Sequence, residues 1–442
     1  MITDSIFTEV ETLPLSEVNR LVLSKLTAIL SLASRGSTFY RERIPFQVIH
    51  DFKDLESIPI LTKEDLASNM PPVSDSMLTD KLYNASIYRS GGTTGKPKFT
   101  LYSNDEFEEF SNIFVRTYYS AGLRKDDKVA NLFFCGDLYP SFIFVHKLIQ
   151  KLGCINFPVA GSTPPRQVIE YIRMFGINAV LGPTSYIVNL VKMLAAGNLQ
   201  NDGLNKVLYA GEPLYETDRE FLLQVLGQDA NIRSAGYGCA DLGLIGYQCL
   251  AQTGPVHHIL FDHVYVEIVD PETNKVVEDG EQGDIIVTSL DKRLVPFIRF
   301  KIGDRGRKLK EKCSCGRSGQ LLELLGRDDD TVRIGYTNVS YKDILEALGA
   351  RRPFTTNMQL IKEQGKGRTR LVLRIETDQN HYDTEAQELQ DTVYREIFNL
   401  YPNLEAEEKR GIVDISVQIL AFGQIERMRT TGKIKRIVQK YT

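Results

Sequence analysis

Between Val129 and Ser234 short apolar runs alternate with amphipathic segments of eleven or twelve residues. Val129–Phe134, Cys154–Val159, Ala179–Gly182, Lys206–Tyr209 and Asn231–Ser234 read as strands; Ser141–Leu152, Pro165–Phe175, Ser185–Ala195 and Tyr215–Leu226 read as helices. Repeated strand–helix units of this kind predict an α/β fold in which helices cover a sheet. A leading helix is expected over Leu13–Ser34, where Val18, Leu21, Val22, Leu26, Ile29, Leu30 and Leu32 recur at helical spacing. Past Tyr237 the pattern changes. Val264–Val269 alternates like a half-exposed strand, Asp270–Asn274 is a turn and Asp284–Ser289 a further strand, giving a β-rich subdomain. Arg327-Asp328-Asp329-Asp330 is a charged break, followed by an α-β-β-α-β pattern. The expected organisation is a large N-terminal domain over 1–327, built of helix-covered β-sheets with the β-rich subdomain, and a small α+β domain over 328–442.

Ser90-Gly91-Gly92-Thr93-Thr94-Gly95-Lys96-Pro97-Lys98 lies between two predicted strands, Ala85–Arg89 and Phe99–Tyr102. Backbone N–H groups, hydroxyls and lysines in such a loop suit a phosphate chain. The Walker A pattern does not fit, because Ser90 occupies its first glycine position and Pro97 its Ser/Thr position. Ser103-x-x-Glu106 follows as a capping box for a helix through Phe110 and Phe114.

A net charge of −4 gives no basic bias toward nucleic acid. No apolar run is long enough to span a membrane, and the start Met1-Ile2-Thr3-Asp4 lacks the basic and apolar regions of a signal peptide. Six cysteines in 442 residues make no disulfide scaffold, so a cytoplasmic location is expected.

Further motifs follow in order: Gly211-Glu212-Pro213 after a strand, Gly236-Tyr237-Gly238-Cys239-Ala240-Asp241 after the next, Arg299-Phe300-Lys301-Ile302-Gly303-Asp304, and Gly432-Lys433 near the C-terminus. With Val295–Phe300, Cys313-x-Cys315 and Gly326-Arg327, this collinear set resembles the adenylate-forming superfamily of acyl-CoA synthetases, adenylation domains and luciferases, and most of all the phenylacetate-CoA ligases. The resemblance implies ATP- and magnesium-dependent activation of an aromatic carboxylic acid to an acyl-adenylate, followed by transfer to CoA. Ser90, Gly91, Gly92, Thr93, Thr94, Gly95 and Lys98 would hold the outer phosphates, with Thr94 catalytic. Gly211, Glu212, Pro213, Tyr237 and Gly238 would form the adenine slot, and the Asp304 carboxylate would accept from the ribose hydroxyls. Asp241 would hold magnesium, Lys433 would bridge the acid and the α-phosphate, and Asp329 would be the hinge of a mobile small domain.

Phe134, Tyr139, Phe142 and Gly236 are the candidate acyl pocket, with Asp137 able to pair with an amino substituent. Related proteins have cysteine and histidine at the positions of Cys249, His258, Cys313 and Cys315, which implies a Cys3His zinc site, with His257 as the rival ligand. Lys435, Arg436 and Lys440 are read as a solvated face. Two departures from the family pattern stand out. Asp241 replaces a glutamate, and Gly335-Tyr336 places tyrosine where relatives have glycine, which favours an amine or carrier-protein thiol as acceptor over CoA. A nucleotide-binding regulator is the non-enzyme alternative, and the resemblance allows a homodimer.

Overall fold

The computed structural model describes residues 9–46, 48–90, 98–196, 203–327, 330–349, 353–365, 368–428 and 432–441. They form two compact units. The larger comprises Met1–Leu214 with Leu222–Leu325, the smaller Tyr215–Phe221 with Gly326–Thr442.

In the larger unit a five-stranded parallel sheet runs in the order β4-β3-β5-β6-β7, with β3 Lys128–Asn131, β4 Ile155–Phe157, β5 Ala179–Pro183, β6 Lys206–Ala210 and β7 Asn231–Ser234. All five residues of β5 are buried, as expected of a central parallel strand covered on both faces. The strand expected to reach Phe134 stops at Asn131. There the buried Asn131 side chain accepts from the Phe133 N–H and donates to the Phe142 carbonyl, while the Leu132 N–H still donates to the Leu181 carbonyl and the Phe133 carbonyl still accepts from the Gly161 N–H. Because the strands are parallel, their C-terminal ends gather residues 132–140, 211–213 and 235–237 at one edge, where α/β sheets bind ligands.

A seven-stranded antiparallel sheet carries the order β11-β12-β13-β14-β10-β9-β8. Its strands are β8 Tyr237–Cys239, β9 Gly243–Tyr247, β10 Val256–Ile259, β11 Val264–Val269, β12 Gly283–Ser289, β13 Phe300–Lys308 and β14 Leu321–Arg327. One core cluster unites this sheet with the leading helix, Leu15–Gly36, which buries Val18, Val22, Leu26, Ile29, Leu30 and Ala33. Each of the Val, Leu and Ile side chains contributes roughly 1.5–3 kcal/mol.

The strands β1 Ala85–Ser90 and β2 Lys98–Ser103 pair antiparallel, with Ser90 opposite Lys98. Ser103 and Glu106 form the expected capping box on the helix Asn104–Ser120. Glu106 does more than cap: its other oxygen accepts from the backbone N–H groups of Arg293 and Leu294, which fixes the loop between β12 and β13.

The smaller unit has a four-stranded sheet, β19-β18-β17-β20, of β17 Phe354–Gly365, β18 Arg368–Thr377, β19 Val413–Ala421 and β20 Ile437–Tyr441. The helices Tyr341–Gly349 and Gln379–Leu400 pack on its core. Three elements go beyond the expected pattern: β20, the helix Pro402–Lys409, and a hairpin of β15 Thr331–Ile334 and β16 Thr337–Ser340. Among the described residues no helix is long and apolar enough to cross a membrane.

Candidate active site

Tyr237 and Asp304, 67 positions apart, meet: the Tyr237 hydroxyl donates to Asp304 Oδ2 at 2.8 Å. In the sheet order β14, β10 and β9 lie between β13 and β8, so the two residues meet although their strands are not neighbours. Gly238 has a structural reason of its own. A Cβ there would lie 2.0 Å from the Gly243 carbonyl oxygen, so the tight β8–β9 turn excludes every side chain.

Asp241 lies in that turn. Its half-buried carboxylate is raised above the usual range, chiefly by burial, which the charges of Lys292, Lys98 and Lys63 partly offset. Lys98, at the start of β2, is lowered by burial and by Lys63. Lys63, Lys98 and Lys292 all act on Asp241, with Glu64 acting on Lys98 and Glu106 on Lys292, so lysines and carboxylates are interleaved at a turn that suits a polyphosphate carrying its own divalent ion. Asp241 fits as the group that would take magnesium. Two bonds tie β2 to this turn. The Tyr102 hydroxyl donates to the Ala240 carbonyl at 2.6 Å, and the Lys292 ammonium joins Thr100 Oγ1 at 2.9 Å to the Asp241 carbonyl at 2.7 Å. Burial draws the Lys292 ammonium down to about 8. Neither Lys63 nor Lys292 is singled out by the sequence motifs, since a lysine in a polar loop reads as solvated.

Gly211, Glu212 and Pro213 follow β6. Glu212 is already engaged: its carboxylate accepts from the Ser185 N–H at 2.9 Å and its carbonyl from Thr184 Oγ1 at 2.7 Å. It caps the helix Thr184–Ala196, satisfying an N-terminal donor and favouring the helix dipole. Glu212 therefore shapes the edge at which an adenine would lie through the backbone of its turn.

Among the acyl-pocket candidates, no ring contact joins Phe134, Tyr139 and Phe142. Phe134 lies over Gly161, where a Cβ would come within 2.7 Å of the ring, whereas Phe142 stacks on His146 at 6.2 Å. Gly236 follows β7 and lies against Leu244. Asp137 pairs with Arg89 of β1 at 2.5 Å, an exposed ion pair. Gly91, Gly92, Thr93, Thr94, Gly95 and Asp329 lie outside the described residues, and of Ser90 only the strand position is described.

In the smaller unit Gly432 and Lys433 are tied to Met428. The Gly432 N–H donates to the Met428 carbonyl at 2.8 Å, and the Met428 N–H to the Lys433 carbonyl at 2.9 Å. Arg436 corrects the solvated-face reading, since it pairs with Asp330 at 2.7 Å and lies over the Tyr341 ring at 5.2 Å. Gly335-Tyr336 is the two-residue turn of the β15–β16 hairpin. Gly335 has φ +55°, the positive value that the first central position of a type II′ turn requires. A Cβ on Gly335 would lie 2.0 Å from Glu407 Oε2, the oxygen that accepts from the Tyr336 N–H. The glycine thus stands one place early because this hairpin needs it there. Tyr336 itself is 74 % exposed.

A second constellation lies at the other end of the antiparallel sheet. Cys249, His258, Cys313 and Cys315 place all four ligand atoms within 4.8 Å of one another. Cys249 and Cys313 sulfurs are 3.6 Å apart, and Cys315 Sγ lies 3.4 Å from His258 Nε2. Tetrahedral zinc with bonds of about 2.0–2.3 Å needs ligand separations of roughly 3.5–3.8 Å, so the donors fit. His258 Nδ1 meets the Gly319 carbonyl at 3.0 Å, which orients Nε2 toward the thiols, and Gln252 donates to Cys313 Sγ at 3.0 Å. Its neighbour His257 points to the other face of β10, with its ring 6.0 Å from that of Tyr237.

The family described as AMP-binding enzyme matches residues 42–290. The chain belongs to that family. It is 29% identical to the phenylacetate-coenzyme A ligase of Escherichia coli over 77% of this chain and 78% of that one. It is 26% identical to the Thermus thermophilus phenylacetate-coenzyme A ligase over 97% and 98%. The fold matches 2-hydroxyisobutyryl-CoA ligase in complex with 2-HIB-AMP, at TM-score 0.80 and 20% identity, covering 97% of this chain and 91% of that one. It also matches the AtGH3.15 acyl acid amido synthetase, at TM-score 0.71 and 14% identity over 98% and 93%.

Proposed function

We propose that this AMP-binding family member is an AMP-forming ligase that activates a carboxylic acid, aromatic in class, and passes it to CoA. The observation that carries the reading is the Tyr237–Asp304 hydrogen bond, with Asp241 and Lys98 on adjoining segments of the same unit. Full-length similarity to phenylacetate-coenzyme A ligases supports CoA as the acceptor.

In the first step a carboxylate oxygen attacks the α-phosphorus of ATP, the bond to the β-phosphate oxygen breaks, and pyrophosphate leaves. Asp304 orients the ribose, Tyr237 holds Asp304 and flanks the base, and Lys98 faces the outer phosphates. Asp241 would hold magnesium, which would supply positive charge to the developing phosphate charge. Lys433 brings a cation to the carboxylate and the α-phosphate. In the second step the CoA thiolate attacks the acyl carbonyl and AMP departs. Cys249, His258, Cys313 and Cys315 hold a structural zinc ion that takes no part in the chemistry.

The test is pyrophosphate release by Lys433→Ala with MgATP and aromatic acids. Losing a cation aimed at transition-state charge lowers the rate by about a hundredfold or more. An unchanged rate contradicts the role given to Lys433.

A further inference from the structure

Lys292, on the loop between β12 and β13, is one of the largest fully buried side chains. Its ammonium meets two neutral oxygens, Thr100 Oγ1 and the Asp241 carbonyl. It also faces two aromatic rings, with the Tyr102 centroid at 3.6 Å and that of Phe297 at 4.9 Å. Among the described residues no carboxylate pairs with it. Glu106 and Asp241 act on it only through space, and both Glu106 oxygens are engaged by the N–H groups of Ser103, Arg293 and Leu294. A buried cation with no carboxylate in contact keeps much of its desolvation cost, which Glu106 and Asp241 offset only in part, and an anion that binds nearby offsets more of it.

The placement of the two acceptors says which anion this is. Thr100 lies two residues beyond Lys98 on β2, and Asp241 lies in the β8–β9 turn. Lys292 therefore bridges the strand that leaves the phosphate loop to the turn that carries the carboxylate. Glu106 fixes the loop from which it reaches. Nothing in a structural brace requires the bridging group to be charged, because the Tyr102 hydroxyl already ties the same two segments through the Ala240 carbonyl.

We propose that Lys292 is a positioning residue for the triphosphate end of the nucleotide: it fixes β2 against the Asp241 turn, and its buried charge, held by no carboxylate in contact, favours a polyphosphate over a monophosphate. The proposal rests on the adenylating reading above. Its test is calorimetric titration of MgATP and of AMP into the wild-type protein, Lys292→Met and Thr100→Val. Lys292→Met weakens MgATP by about tenfold or more and AMP by less than about twofold, because the charge acts mainly on the outer phosphates. The ligand-free variant unfolds at the same or a higher temperature, since an unpaired buried charge has been removed.

Thr100→Val removes one acceptor and lowers the MgATP-to-AMP preference in the same direction. If Lys292→Met does not fold, Thr100→Val decides. An equal loss for both nucleotides, or an unchanged preference in the variants, overturns the role of Lys292 while leaving the adenylating reading intact. Failure of the wild-type protein to bind either nucleotide overturns both.

Discussion

Asp304→Asn is the most informative single change at the nucleotide site. The side chains are nearly isosteric, and the amide keeps one oxygen able to accept from the Tyr237 hydroxyl, which now bonds Asp304 at 2.8 Å. What disappears is the charged acceptor offered to the ribose. A hydrogen bond to a charged group contributes about 1.5–3 kcal/mol. At about 1.4 kcal/mol per tenfold, one such bond weakens MgATP by roughly tenfold to a hundredfold. Calorimetric titration with ATP and with 2′,3′-dideoxy-ATP isolates the effect. The wild-type protein prefers ATP by that factor, and Asp304→Asn binds the two nucleotides within about twofold of each other. If the variant loses the same factor for both, Asp304 acts on the fold or the base, and the ribose assignment is wrong.

Two further outcomes follow from the larger unit. Purified protein carries one equivalent of zinc, and Cys313→Ser loses it with a lower unfolding temperature; metal analysis that finds less than half an equivalent in the wild-type protein contradicts the site. Arg299 is buried with φ +51° and pairs with Glu267 at 3.0 Å, each side chain 2 % exposed. Its guanidinium also donates to the Ile58 carbonyl at 2.8 Å. Glu267→Gln leaves that charge buried without its counter-ion and destabilises the unit by about 3–5 kcal/mol in denaturant titration; a loss below about 1 kcal/mol refutes this account of the pair.

The parallel sheet was legible because its signal is a period. Apolar runs of strand length and helical repeats survive without knowledge of neighbours, so Ser141–Leu152 and Pro165–Phe175 appear with the bounds the pattern predicts. Capping is local too, which is why Ser103 and Glu106 could be paired from their spacing. What was illegible depends on partners far along the chain. Lys292 looks like a surface lysine until Thr100, 192 positions away, and two aromatic rings enclose it. Asp137 looks free until Arg89 arrives from β1, and Glu212 looks like a ligand-facing acid until the helix it caps is placed beside it. Gly335 was noticed as an oddity, but its reason, the Glu407 carboxylate, lies 72 positions downstream. The four-residue strands β15 and β16 are too short to show a period at all.

The central claim is two coupled chemical steps, and counting both products tests it most directly. Protein, MgATP, CoA and a panel of aromatic carboxylic acids are incubated together, with pyrophosphate release and CoA consumption followed separately. The account predicts an acid for which one CoA disappears for each pyrophosphate released. Pyrophosphate without loss of CoA contradicts CoA as the acceptor, and no pyrophosphate with any acid contradicts adenylation itself.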